Sequence, residues 1–282
     1  MLAVQLGSAL SVHLVDEVGA GGTAWLRLTA GAVIFLVIAR PSFRSLRGHD
    51  APILLGLGVT MGLQTVAFLA AIRRIPLGTT VAIEFLGPLA VAALHSRTRQ
   101  ALLWVGAAGV GVALVTEPWL GNVHWQGVGY AGVAGVGWGV YIVLTQRVAD
   151  RFTGITGLAL TVPVAAATAA AFGIPQAAGH FTLAVIATSI GLAILLPVLT
   201  YSFELLALRR MTPTAFGTLF ALEPAIGVIL GLIVLHQNLS WVQLTGILVV
   251  VLAGAASQRG EPHRPPGPHQ AGAQPGTGPL PF

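Results

Sequence analysis

The chain has no cysteine and no lysine, and only 8% of its 282 residues are charged. Without cysteine, disulfides and thiolate metal sites are excluded. With so few charges the chain has no surface that water could solvate, since a soluble domain carries about 25% charged residues. All fourteen basic residues are arginines, which with nine acids give a net charge of +5. They stand mostly in pairs at the ends of apolar runs, not along a basic face with interleaved aromatics. That excludes nucleic acid as a partner and fits a protein whose orientation in a membrane is fixed by charge. Catalytic signatures are missing too. No His-Glu-x-x-His or Gly-x-Ser-x-Gly run occurs, and of the eight histidines only His13 lies in the interior of an apolar segment, the others standing in loops, at segment ends or in the tail. The chain therefore reads as a non-enzyme that takes no cofactor and no metal. Its apolar start runs into Asp16-Glu17, with no basic stretch before it and no small-residue cleavage site after it, so it does not read as a cleavable signal.

What is present is apolar sequence: 55% of the residues are hydrophobic, and the mean hydropathy is +0.84. Ten apolar segments can be drawn, at 2–15, 24–40, 52–72, 77–95, 101–116, 127–146, 153–172, 183–207, 213–235 and 241–257. A spanning helix needs about 20 apolar residues, with about 17 as a lower limit. Most segments meet this and the first falls short. The expected fold is all-α and polytopic, ten transmembrane helices with the lipid bilayer as solvent. After Ser257 the composition turns Pro/Gly-rich with no apolar period, which predicts a disordered tail over 258–282.

One stretch occurs twice. Residues 71–88 read AIRRIPLGTTVAIEFLGP and residues 207–224 read ALRRMTPTAFGTLFALEP, aligned without a gap at an offset of 136 (207 − 71). Each has paired arginines, a proline at a helix start, a Thr/Gly-rich apolar run, and one acid before a closing proline, Pro88 or Pro224. The acids are one turn out of step: Glu84 falls opposite Phe220, and Gly87 opposite Glu223. Positions three apart share a helix face, so both halves put a carboxylate on an equivalent surface. The match continues at an offset of 137, where Leu102, Trp104, Val105, Gly109 and Val112 meet Leu239, Trp241, Val242, Gly246 and Val249. Each half thus holds five helices. An odd number inverts the second half in the membrane, and inverted repeats are a signature of secondary transporters with a site near the bilayer midplane. The resulting plan is a first repeat over 1–117, an outer linker over 118–126, an inverted second repeat over 127–257 and the tail. With the N-terminus inside, eleven arginines lie in inner loops and the tail, and only Arg73 and Arg74 lie outside. Both termini are therefore expected in the cytoplasm. The glycine-rich runs at 106–112 and 132–139 follow no strand and read as close helix packing, not as phosphate loops.

The stretches VGAGGTAWLRL (18–28), RRIPLGTTVAIEFLGPLAVAAL (73–94) and PVLTYSFELLALRRMTPTAFGTLFALEPAIG (197–227) resemble the ten-helix EamA branch of the drug/metabolite transporter superfamily. Within it they are most similar to the bacterial threonine/homoserine exporters, and with the segment layout the resemblance covers nearly everything up to Ser257. It implies a basket of ten helices around a central cavity, with the third, fourth, eighth and ninth among its walls. It further implies a multi-pass protein of the bacterial cytoplasmic membrane that exports small amino acids; alternating access follows from the inverted repeat, and protons as the coupling partner are expected from acids in mid-membrane. Efflux of another metabolite or an amphiphilic drug, or an uncoupled facilitator, would suit the same fold.

The candidate site residues follow from depth and chemistry. Glu84 and Glu223 sit mid-segment, where an ionisable group costs about 2.5–3.5 kcal/mol and so faces a cavity or a partner. They can hold a substrate ammonium, a proton, or each in turn. The alternative is a structural acid beside backbone groups freed by Pro88 or Pro224. Arg27 has the planar fork that suits a substrate carboxylate, though a structural pairing with Glu84 is favoured. Gln64 and Tyr201 are polar candidates for the cavity, or for helix–helix hydrogen bonds. Thr80 and Thr218, with Thr79 and Thr214, lie near the two repeated helix starts, where a carboxylate would be welcome. Glu204 suits gating or an ion pair. Trp138 and Tyr141 lie inside their helix and suit an apolar cavity wall or a lipid-facing surface equally.

Overall fold

The computed structural model describes residues 1–41, 50–96, 98–121, 123–149, 151–152, 155–200 and 219–259. Among these the chain is helical, with no strand. The helices are α1 (Leu2–Ala39), α2 (Ala51–Ile72), α3 (Leu77–Glu84), α4 (Leu86–Ser96), α5 (Arg99–Thr116), α6 (Trp125–Ala149), α7 (Thr156–Ala177), α8 (Leu183–Ala193), α9 (Glu223–Val234) and α10 (Trp241–Arg259). Among the described residues six helical stretches are long and apolar enough to cross a membrane, with α3 and α4 counted together, and three shorter apolar helices accompany them. A 22-residue helix such as α2 is about 33 Å long, enough for a hydrocarbon core of about 30 Å.

The polarity is arranged for lipid. Exposed side chains such as Val33, Leu55, Leu103, Val136 and Leu252 are apolar, while Gln5, Arg27, Glu84 and Glu223 are buried. Hydroxyls inside the helices donate to the carbonyl one turn back, as Ser11 does to Gly7 (2.6 Å) and Thr65 to Met61 (2.7 Å). In a bilayer such internal satisfaction replaces water.

α1 is two limbs, 2–18 and 20–39, broken at Gly19 (φ 76°, ψ 166°), a conformation essentially reserved for glycine. Sixteen residues of straight helix would separate Ser11 and Arg27 by about 24 Å. Instead Arg27 Nη1 donates to Ser11 Oγ at 3.2 Å, so the chain doubles back at Gly19. The turn is held from α7, where Gln176 Oε1 accepts from the Gly21 amide (2.8 Å). The first limb continues through Asp16 and Glu17, past the expected end at Val15. Both acids lie at its exposed tip, and Asp16 meets Arg73 at 3.5 Å.

The fourth segment, expected as one helix, is interrupted at Phe85. Pro88 has no amide to give the carbonyl of Glu84, so the ladder loses a bond at the candidate acid. The eighth segment ends in a π-helical turn, Ile194–Leu199, around Pro197, which likewise leaves a carbonyl one turn back without its usual donor. Residues 201–218 lie outside the described residues, and with them the end of the eighth segment and the start of the ninth. The tail beyond 259 also lies outside them.

Early helices pack against late ones: α1 on α7 and α8, α2 on α6 and α7, α3 on α9, and α5 on α10. Small residues allow the closest approaches. A Cβ at Gly87 of α4 would run into the carbonyl of Gly135 of α6, and one at Gly111 would lie 2.7 Å from the carbonyl of Gly246. Where lipid removes the hydrophobic drive between helices, such contact is what holds them together.

Candidate functional site

A cavity of about 210 Å³ lies where both limbs of α1 meet α2, α3, α6, α7 and the start of α9. Its walls repeat at helical spacing. Gln5 and Ser8 face it from the first limb, and Met61, Gln64, Thr65 and Phe68 from α2. Trp138 and Tyr141 face it from α6, and Phe220 and Glu223 from the start of α9. Intervals of three and four residues put each group on one face of its helix. The π turn adds Leu196, and Thr200 follows just after it.

Among the described residues, two acids and one arginine reach this space: Glu84, Glu223 and Arg27, at 8%, 3% and 6% exposure. Glu84 is the last residue of α3, and its Oε1 accepts from Gln64 Nε2 at 3.2 Å. Glu223 opens α9 ahead of Pro224, where the positive end of the helix dipole favours a carboxylate. Arg27 donates to Ser11 within α1, while Glu84 takes Gln64, where the sequence favours an Arg27–Glu84 pair. Arg27 thus stands on the α1 side of the cavity.

An aromatic wall adjoins the charges. Trp138 lies between Phe85 (ring centroids 6.2 Å) and Phe220 (5.4 Å). Such tilted and edge-on geometries let rings pack without stacking their negative faces. The cavity therefore offers a charged pole and an apolar one.

Six of the sequence candidates come together here: Glu84, Glu223, Arg27, Gln64, Trp138 and Tyr141. Thr80 does not line the cavity; it is fully buried and donates to the carbonyl of Pro76 (3.1 Å). At the start of α3, Gln237 Oε1 accepts from the Leu77 amide (3.0 Å). Pro88 is half-buried and Pro224 buried; both shape the backbone without lining the cavity. Tyr201, Glu204 and Thr218 lie outside the described residues. Sequence reasoning passed over Gln5, Ser8, Thr65 and Thr200. The polar run Gln5, Ser8, Ser11, spaced by three through an apolar segment, was the available signal for the first two.

Helices of spanning length, apolar outside and enclosing a small charged cavity, define a multi-pass membrane protein with an interior solute-sized site. The sequence pattern described as the EamA-like transporter family matches residues 125–256. The chain is 33% identical over 267 residues to the threonine/homoserine exporter RhtA of Escherichia coli (strain K12), an alignment covering 91% of this chain and 88% of the relative. It is 32% identical over 263 residues, with the same coverage, to the threonine/homoserine exporter RhtA of Salmonella typhimurium (strain LT2). The chain belongs to the EamA-like transporter family, and is a multi-pass inner-membrane transporter.

Proposed function

We propose that this protein exports small amino acids, threonine and homoserine foremost, across the cytoplasmic membrane by alternating access coupled to protons. The observation that carries the reading is the meeting of Glu84, Glu223 and Arg27 in one small buried cavity. An amino-acid zwitterion needs a carboxylate for its ammonium and a guanidinium for its carboxylate, and Arg supplies the latter in planar, bidentate form. A carboxylate that holds a proton cannot at the same time pair with the ammonium. Protonation from outside and substrate binding from inside then exclude each other at one group, which is the requirement for exchange. The choice of substrate is supported by the two relatives, which are named for threonine and homoserine.

The architecture that suits this mechanism is ten spanning helices in two inverted repeats, 1–117 and 127–257, joined by the linker 118–126, with both termini in the cytoplasm. Each limb of α1 counts as one helix, and α3 with α4 as one. The packing supports it: exchanging the halves turns the contact of α2 with α6 into one of α8 with α1, and the contact of α3 with α6 into one of α9 with α1; all four occur. The family match over 125–256 coincides with the second half.

The aromatic wall favours a second reading, export of an amphiphilic metabolite or drug. A competition panel against labelled threonine in proteoliposomes separates the two. Displacement by homoserine and not by apolar cations is expected; displacement by apolar cations alone would assign the cavity to the second reading.

A further inference from the structure

One buried polar group has no part in that charge pairing: the side-chain amide of Gln5. It is 2% exposed, it lines the cavity, and its Oε1 has no hydrogen-bond partner among the described residues. The neighbouring hydroxyls are satisfied within their own helices, Ser8 on the carbonyl of Val4 (2.9 Å), Ser11 on Gly7 and Thr65 on Met61. Gln5 instead extends from the first limb towards α9, where a Cβ on Gly227 would lie 3.5 Å from Oε1. Gly227 stands one turn beyond Glu223 on α9. A buried amide oxygen without a donor is costly unless something else fills that role, and most native structures leave very few such groups.

We infer that Gln5 is a specificity-determining residue that reads the side-chain hydroxyl of a hydroxylated amino acid; the inference rests on the exporter reading above. The charges of the cavity divide the ligand. Glu84 and Glu223 suit its ammonium and Arg27 its carboxylate, which leaves the neutral amide for a neutral polar group. A hydroxyl both donates and accepts, so it satisfies either end of the amide whichever way that group is turned. An analogue without the hydroxyl would leave Gln5 buried and unpaired, and sites of this kind reject such analogues strongly.

The test uses 2-aminobutyrate, which is both threonine and homoserine without the hydroxyl. Initial uptake of labelled threonine and of labelled 2-aminobutyrate is measured in proteoliposomes of the full-length protein. In the wild type, threonine is expected to exceed 2-aminobutyrate by about tenfold or more, the worth of one hydrogen bond made or lost in a buried site. In Gln5→Met, which keeps the volume and removes the amide, that ratio is expected to fall towards one. A ratio, unlike a rate, does not move with the amount of folded protein. An unchanged ratio in Gln5→Met would overturn the inference. Should that variant not reach the membrane, Gln5→Asn, which withdraws the amide by one methylene, decides by the same criterion. A wild type that moves both compounds equally would overturn the inference and leave the exporter reading standing; one that moves neither would overturn both.

Discussion

Glu84 and Glu223 bring two carboxylates to one cavity from positions one turn out of register in the repeat. The equivalent positions are Phe220 and Gly87, and each does a complementary job. Phe220 joins the aromatic wall against Trp138, and Gly87 lets α4 close on α6. Loss of either charge should remove a charge-assisted contact worth about 1.5–3 kcal/mol, or roughly ten- to a hundredfold in transport. Glu84→Gln and Glu223→Gln should each lower threonine export by at least about tenfold in cells, at unchanged membrane level by immunoblot. Normal export in both variants would remove the carboxylates from the mechanism. At this scale the sequence was partly legible. An acid in the middle of an apolar run is conspicuous, and so are Arg27 and Gln64. Gln5 was less so: it stands in a polar run with Ser8 and Ser11, but that its Oε1 has no hydrogen-bond partner among the described residues shows only once the helices are packed.

Several contacts at helix ends come from side chains of the other half, while α5 and α8 start on their own caps, Thr98 and Thr182. Gln237, after α9, caps the start of α3 through the Leu77 amide; Gln176 caps the turn of α1 through Gly21; and Ser240 donates to Glu117 after α5 (2.9 Å). The Gln237 bond joins residues 160 apart in sequence, so no local pattern could have forecast it. Gln237→Ala leaves a buried helix-start amide without an acceptor, a loss of about 1–2 kcal/mol by analogy with N-cap removal. It should lower the midpoint of thermal unfolding in detergent, and an unaltered midpoint would mean that another group takes over the amide. The breaks were half legible. Pro88, Pro197 and Gly19 are visible in the sequence as breakers, yet whether a proline kinks, stops or π-bulges a helix depends on which neighbours satisfy the released carbonyl. At the helix start proposed for a substrate carboxylate near Thr80, Gln237 takes the Leu77 amide.

For the whole molecule, composition alone was enough for a membrane protein, because 8% charge leaves no soluble alternative, and the lengths of the apolar runs made it helical. The inverted halves and the orientation are open to a direct measurement, since the natural chain has no cysteine to block. Gly121→Cys in the linker should react with an impermeant maleimide in intact cells. Ser257→Cys, at the other end of the second repeat, should react only after permeabilisation. The reverse pattern would invert the assigned topology. The measurement that bears most directly on the function is threonine movement into proteoliposomes with and without an imposed pH gradient. Protons leaving should draw threonine in, so accumulation is predicted when the lumen is the more acidic side, and it should collapse when a protonophore dissipates the gradient. Threonine uptake that only equilibrates, whatever the gradient, would contradict proton-coupled export and leave an uncoupled facilitator; no threonine uptake would contradict the substrate itself.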